Sequence, residues 1–205
     1  MYDKLFKLGT QLAIKYGEKQ KTVISPTEDL MREHGALNRL LLVYEEALNQ
    51  LKLGKDIPNE ALRETARIIQ KFIEDYHEES LEEGFVFPKL KKAGQLIDLI
   101  KLLIVQHNES QKLTDFILKI KKNNNDYIEP ICKFLRMYRP HEAREDTVIF
   151  PAYHKLLTAQ ELQEIGEQFE EIEHKIIKDG YTQIIKSISE IEKEFGIYDL
   201  TQFTP

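Results

Sequence analysis

Apolar residues recur along this chain at intervals of three, four and seven, the spacing that lines one face of an α-helix. Ser25-Pro26-Thr27-Glu28 reads as a helix start, with a capping hydroxyl, an early proline and an acidic first turn. The stripe that follows carries Leu30, His34, Leu37, Leu41 and Leu48, and Gly54 with Asp56-Ile57-Pro58 makes the turn. A second helix buries Leu62, Ile69, Phe72 and Ile73, leads to His77, and is punctuated by Gly84 and Pro88 before Ala93-Gly94 closes it. A third is expected from about Gln95 to Lys122 through Ile97, Ile100, Ile104, His107, Leu113 and Ile117. It ends in the polar turn Lys121 to Asp126. A fourth runs from about Tyr127 to Leu157, with Pro140 inside it to kink or bend it.

Around these four lie helical additions. Residues 1–24 read as a short amphipathic helix with Leu5, Phe6, Leu12, Ala13 and Ile14 as its apolar set, lying across the main domain. Thr158-Ala-Gln-Glu161 is a capping box. One or two helices follow it, ending near Phe195, and a tail runs from Gly196 to Pro205. No strand pattern of useful length occurs. The expectation is therefore an all-α protein: an up-down four-helix bundle over residues 25–158, with extensions at 1–24 and 159–205.

Composition narrows the function without naming it. The 205 residues are 41% hydrophobic and 31% charged, ordinary for a globular chain. A net charge of -6 with no basic arm argues against nucleic-acid binding. No stretch approaches the ~20 apolar residues of a membrane span, and Met1 to Gln20 lacks the apolar run of a secretory signal. The single cysteine, Cys132, excludes an intrachain disulfide framework and suits a reducing, cytoplasmic compartment. Beside Ile128, Ile131 and Leu135, it reads as a small buried hydrophobe.

The chemistry lies in a repeat. Pro140-His-Glu-Ala-Arg-Glu-Asp-Thr-Val-Ile-Phe-Pro151 has an earlier near-copy, His77-Glu-Glu-Ser-Leu-Glu-Glu-Gly-Phe-Val-Phe-Pro88. His141 and Glu145 are four apart and project from one helix face, which also carries Phe134, Met137, Tyr138, Val148 and Ile149. A histidine and a glutamate are thus directed at a core, where burying them costs several kcal/mol unless something satisfies them. A metal ion does this well. Of the six histidines, His34, His77, His107 and His141 fall one per bundle helix, in two hairpins of similar length related by a pseudo-twofold axis.

This order of histidines and carboxylates, with its paired Phe-Pro endings, resembles the hemerythrin-like (HHE) cation-binding family over about residues 26–157. The resemblance implies a non-haem di-iron centre, two iron ions joined by an oxo or hydroxo bridge, with manganese or zinc able to substitute. Carried over by position, it makes His34, His77, His107 and His141 terminal ligands, with Glu82 and Glu145 as bridges. Imidazole with carboxylate independently suits iron, manganese or zinc, and the absence of thiolate argues against an iron–sulfur cluster. Gln111 stands where oxygen-carrying members place a second histidine, four residues after His107. One ligand fewer leaves more positions open to water, dioxygen, nitric oxide or peroxide, favouring sensing, metal handling or redox chemistry over simple carriage. The tail from Gly196 also resembles an extension of some bacterial members.

The first functional reading is a di-iron protein that binds dioxygen or a related small oxidant, for sensing, scavenging or storage. The alternative is a di-iron enzyme acting on peroxide or nitric oxide or repairing iron centres, and a third is a metal-free helical interaction module. The expected partner is a small diatomic or peroxide ligand, with no nucleic acid and no membrane. His174, within an acidic stretch, is an optional additional ligand whose simpler reading is exposed, and His154 reads as surface. Glu78, Glu79, Glu83, Glu142 and Asp146 read as a solvated face, or as acceptors for imidazole N–H groups. Tyr44, Tyr76 and Tyr138 read as core-edge aromatics.

The first copy poses a register problem. His77 and Glu82 are five residues apart, an offset of about 140° beyond a full turn on a regular helix. Leu81 would then take the ligand position, or Glu78 or Glu83 would hold the metal. A π-bulge between His77 and Glu82 restores the register.

Overall fold

The computed structural model describes residues 24–121 and 124–204. The expected helix at 1–24 lies almost wholly outside them. All regular structure among the described residues is helical, and none of their helices is long and apolar enough to cross a membrane.

The first long rod is α1, Pro26–Lys52, whose N-cap Ser25 accepts a hydrogen bond from the Glu28 N–H at 3.3 Å. The second is composite. It begins as α2, Asn59–Ile68, continues as a π-helical segment, Ile69–Val86, and ends as α3, Phe87–Lys92. The third is α4, Ile97–Lys119, shorter at both ends than the periodicity suggests; it starts after Leu96, which takes a left-handed conformation. The fourth runs as α5, Ile128–Arg144, straight through Pro140, then a π-helical turn, Glu145–Ile149, then α6, Phe150–Lys155.

These rods pack cyclically. Each of α1 and α4 lies against both α5 and the long π-helical segment. Seams of Leu30, Leu37, Leu40, Leu41, Phe72, Ile73, Ile100, Leu103, Ile131 and Phe134 close the interior, all at 1% exposure or less. Tyr44 and Tyr76, expected at the core edge, are fully buried, and Phe134 stacks on Tyr138 while meeting Tyr44 edge-on. Cys132 departs from expectation because it is exposed. The buried face of α5 runs through Ile131, Phe134, Leu135 and Tyr138, and Cys132 flanks that stripe instead of lying in it.

Two further helices cover the outer side. Thr158 and Glu161 form the expected capping box of α7, Ala159–Ile176, and α8, Gly180–Phe195, ends at Gly196 with φ +74°, where a glycine meets no Cβ penalty. α7 packs on the π-helical segment through Phe169, edge-on to Phe85. α8 packs on α1 and α2, and Arg39 grips Glu192 with two hydrogen bonds, Nε at 2.8 Å and Nη2 at 2.5 Å.

Because Phe134 is buried among two aromatic rings, Phe134→Ala should cost about 3–5 kcal/mol. Leu42→Ala, at a position 49% exposed, should stay within about 0.5 kcal/mol of wild type. Urea unfolding followed by circular dichroism measures both.

Candidate metal centre

Each of the four long rods brings one histidine to the same interior region. His34 on α1, His77 in the π-helical segment, His107 on α4 and His141 on α5 are 2%, 1%, 1% and 4% exposed. They form two pairs, with ring centroids 4.7 Å apart for His34 and His77 and 5.0 Å for His107 and His141. Between the pairs lie Glu82 and Glu145, at 0% and 1% exposure.

The carboxylates span the pairs. Glu82 Oε1 is 3.7 Å from His77 Nε2, while its Oε2 is 3.4 Å from His107 Nε2. Glu145 Oε2 is 3.1 Å from His141 Nε2 and 3.7 Å from His34 Nε2, and its Oε1 is 3.8 Å from His107 Nε2. Ligand-type atoms of Glu82, His107, His141 and Glu145 all fall within 4.8 Å of one another, as do those of His34, His77 and Glu82. The two groups have Glu82 in common, and His34 also forms a third such group with Glu142 and Asp146.

The other ring nitrogen of every histidine is held from behind. His34 Nδ1 lies 2.8 Å from Asp146, His77 Nδ1 2.7 Å from Glu33, His107 Nδ1 2.8 Å from Glu83 and His141 Nδ1 2.9 Å from Gln106 Oε1. A carboxylate or amide oxygen can only accept, so each Nδ1–H donates and each Nε2 is the ring nitrogen left facing the centre. Asp146 and Glu83 thus take the orienting role weighed for them, not that of a solvated face. Glu33 and Gln106 were not singled out by the sequence; each immediately precedes a site histidine and reaches the other histidine of its own hairpin, His77 and His141 respectively.

Glu78 and Glu142 also correct the reading of a solvated face, being 2% and 4% exposed. Each follows a site histidine directly. Glu142 accepts from Asn38 Nδ2, and Glu78 accepts from the Tyr138 hydroxyl. Burial pushes the carboxyl of each above the usual range, opposed by His107 and His141 for Glu78 and by His34 for Glu142. The Tyr138 hydroxyl is also 3.2 Å from Ser110 Oγ, which with Thr114 donates to the buried carboxyl of Glu74.

The local chain explains how the two glutamates reach the centre. Across the π-helical segment, i→i+5 bonding puts residues five apart on one face, so His77 and Glu82 point together without an insertion loop. The π-helical run is much longer than the single bulge expected, and a second occurs at Glu145–Ile149, where four-residue spacing gave no hint of it. In both copies the phenylalanine N–H bonds the carbonyl five residues back, Phe87 to Glu82 and Phe150 to Glu145. The next residue is a proline, which has no N–H and crowds the carbonyl four residues before it. A widened turn relieves that crowding. It also brings Phe150 over His34 and His77, at 5.3 and 6.5 Å, and Phe87 flat on His107 at 5.7 Å.

Two sequence candidates do not join this cluster. His174 on α7 is exposed and belongs to none of these groups. Gln111 is exposed as well, so it is not a vacant ligand position facing the centre. The inward face of α4 continues from His107 through Ser110 and Thr114, three and seven residues on, and leaves Gln111 outside. His154 is exposed, with Nδ1 3.2 Å from Thr27 Oγ1.

Whether this donor set suits metal ions is tested by its own atoms. His77 Nε2, His107 Nε2, both Glu82 oxygens and Glu145 Oε1 are buried and make no hydrogen bond. So many convergent unpaired groups carry a cost that cations at their centre would remove. The electrostatics agree. Burial alone would raise Glu82, yet His77 and His107 hold it well below the usual carboxylate range. Burial alone would lower His77 and His107, yet for His77 Glu82 outweighs it, and for His107 Glu78 with Glu145 and Glu82 does, raising both well above the ordinary imidazole value. The cluster therefore attracts positive charge at its centre.

Comparison with known proteins points the same way. Residues 25–152 match the sequence profile described as the hemerythrin HHE cation binding domain. The chain is 42% identical over 196 residues to an uncharacterized protein of Mycobacterium tuberculosis, Rv1995, covering 91% of this chain and 76% of that protein. The uncharacterized protein Mb2018 of Mycobacterium bovis matches with the same identity and coverage. No solved structure matches this chain significantly.

Glu74 gives the site a pH signature in stability. Burial raises its carboxyl to about 8, against the hydrogen bonds from Thr114 and Ser110 and with the Glu78 charge adding to the rise. The folded state thus keeps a proton that the unfolded chain releases near the ordinary value of 4.5. That contribution to stability is complete below the ordinary value and is lost as pH climbs toward about 8, by at most about 1.4 kcal/mol per pH unit. Glu74→Gln keeps an acceptor for Ser110 and Thr114 and cannot ionise. Its stability should decline less than wild type between pH 5 and 8, as read from urea midpoints; an identical decline would mean that Glu74 ionises freely in the fold.

Proposed function

The chain belongs to the hemerythrin HHE cation-binding family, and from that membership and the geometry we propose that it holds two metal ions, with iron as the native metal. The proposed ligands are His34 and His77 for one ion and His107 and His141 for the other, bridged by Glu82 and Glu145. The observation that carries this reading is the convergence of buried, unpaired Nε2 and carboxylate oxygen atoms at the junction of the two histidine pairs. The cyclic packing of the four long rods is read, in the same proposal, as an up-down four-helix bundle with α7 and α8 as an accessory pair. The lone thiol of Cys132 fits a reducing, cytoplasmic setting.

When bound, a pair of iron ions supplies a redox centre able to take up dioxygen or a related small oxidant. The protein's own contribution is orientation and exclusion. The four Nδ1 acceptors fix the tautomers, Glu82 and Glu145 supply two negative charges shared between the positions, and Phe87 and Phe150 cover the imidazoles against water. Two histidines with the carboxylates of Glu82 and Glu145 would give each ion at most four protein groups, which would leave room for a small exogenous ligand. Since every one of the six residues is at most 4% exposed, only a small molecule fits this role: sensing, scavenging or storing an oxidant.

One observation favours a second reading, an enzyme acting on peroxide or nitric oxide. Tyr138, Glu78, Ser110 and Glu74 form a continuous buried hydrogen-bonded chain ending beside His107 and His141. Such a chain can hold and move protons at the Glu78 carboxyl and Tyr138 hydroxyl, which peroxide reduction consumes and simple binding does not. Following oxygen release and peroxide consumption separates the two readings.

In iron-loaded protein, His141→Ala and Glu145→Ala should each lose at least one metal per chain by elemental analysis. Helicity should persist, because the leucine and isoleucine seams carry most of the stability. Azide should perturb the optical spectrum of the loaded wild type. Full metal content in both variants would refute the ligand assignment.

A further inference from the structure

The centre is built twice, and among the four histidines, the two central glutamates and the residues that hold each Nδ1 the two halves match in kind except at one place. His34 corresponds to His107, His77 to His141, and Glu82 to Glu145. Behind the histidines, Asp146 on His34 corresponds to Glu83 on His107, both carboxylates at 2.8 Å. Glu142 and Glu78, each directly after a histidine, are both buried glutamates accepting a side-chain hydrogen bond. The remaining pair differs in chemistry. Glu33, immediately before His34, accepts from His77 Nδ1 at 2.7 Å, whereas Gln106, immediately before His107, accepts from His141 Nδ1 at 2.9 Å.

A carboxylate behind an imidazole draws on the Nδ1 proton more strongly than an amide oxygen does, and so makes Nε2 a better electron donor to a metal. It also places a full negative charge a few ångströms from the ion, where an amide offers only a dipole. The setting enlarges the difference. Glu33 is fully buried, so water screens its charge little, while Gln106 is partly exposed. The other Nδ1 partner is a carboxylate in both halves, Asp146 and Glu83, so that position does not offset this one.

We propose that Glu33 makes the two metal positions unequal, so that the position at His34 and His77 fills first and more tightly and the one at His107 and His141 fills second. This rests on the reading that the six residues bind two ions. Glu33 is a positioning residue in this account, acting through His77 without touching the metal. The consequence is an ordered assembly, in which a chain with one ion holds it at a defined end and completes the pair only when metal is more abundant.

The test is a stepwise titration of metal-free protein with Co(II) under anaerobic conditions, followed by calorimetry and by the visible spectrum. Wild type should take two equivalents in two resolved steps. His34→Ala should abolish the tighter step, and His107→Ala should spare it. Glu33→Gln should weaken the tighter step by about 10- to 100-fold, the usual cost of removing such a partner, and bring the two steps together. Gln106→Glu should strengthen the weaker step and leave the tighter one in place, which keeps the test decisive should circular dichroism show Glu33→Gln misfolded. Two indistinguishable steps in wild type, a tighter step untouched by Glu33→Gln in folded protein, or a tighter step lost in His107→Ala would overturn the proposal. A wild type that binds fewer than two cobalt ions would instead remove the metal-centre reading beneath it.

Discussion

Six ionisable side chains meet in the interior with their reactive atoms pointing at one another, and the rest of the structure is arranged around that burden. Taking a charged group out of water costs several kcal/mol even after relaxation, and here the groups lie at 4% exposure or less. Hydrogen bonds satisfy the outer nitrogen of each histidine, yet inner atoms of His77, His107, Glu82 and Glu145 are left without partners. An interior of this kind is a poor source of stability, and that role falls to the aliphatic and aromatic seams above and below it. What the polar cluster provides is a concentrated set of donors awaiting positive charge.

The repeat shows how a simple helical chain meets that demand twice. Each hairpin contributes one histidine from its first rod, and a histidine with its glutamate from the second. The Phe-Pro ending of each copy imposes a π-helical turn, and that turn aims a phenylalanine at the imidazoles. Orientation runs both between and within the hairpins: Asp146 and Glu83 each hold a histidine of the other hairpin, His34 and His107, while Glu33 and Gln106 hold His77 and His141 of their own. The halves differ in the contact made inside each hairpin, from Glu33 in one and Gln106 in the other.

Much of this was legible from the sequence, and the remainder was hidden for physical reasons. Helical periodicity and caps gave the rods because apolar stripes and capping hydroxyls are local properties, and the four histidines stood out because they interrupt those stripes. The register of Glu82 was open to argument from Phe-Pro because the proline enforces its own local backbone. Glu78 and Glu142 read as solvated because acidic runs usually are; only packing shows that each turns inward to Tyr138 or Asn38. Glu33 and Gln106 act on the histidine of the neighbouring rod, and one-dimensional spacing carries no trace of such a contact. Gln111 and Cys132 failed for the opposite reason: position by analogy or by neighbourhood placed them inside, and the actual phase of α4 and α5 turns them out.

The most direct measurement of the central claim is X-ray absorption at the iron edge of protein reconstituted with iron. The account predicts a first shell of nitrogen and oxygen only, multiple scattering from about two imidazoles per iron as the two histidine pairs require, and a distinct iron–iron vector. A spectrum with no iron–iron vector in fully loaded protein, or with sulfur in the first shell, would contradict it.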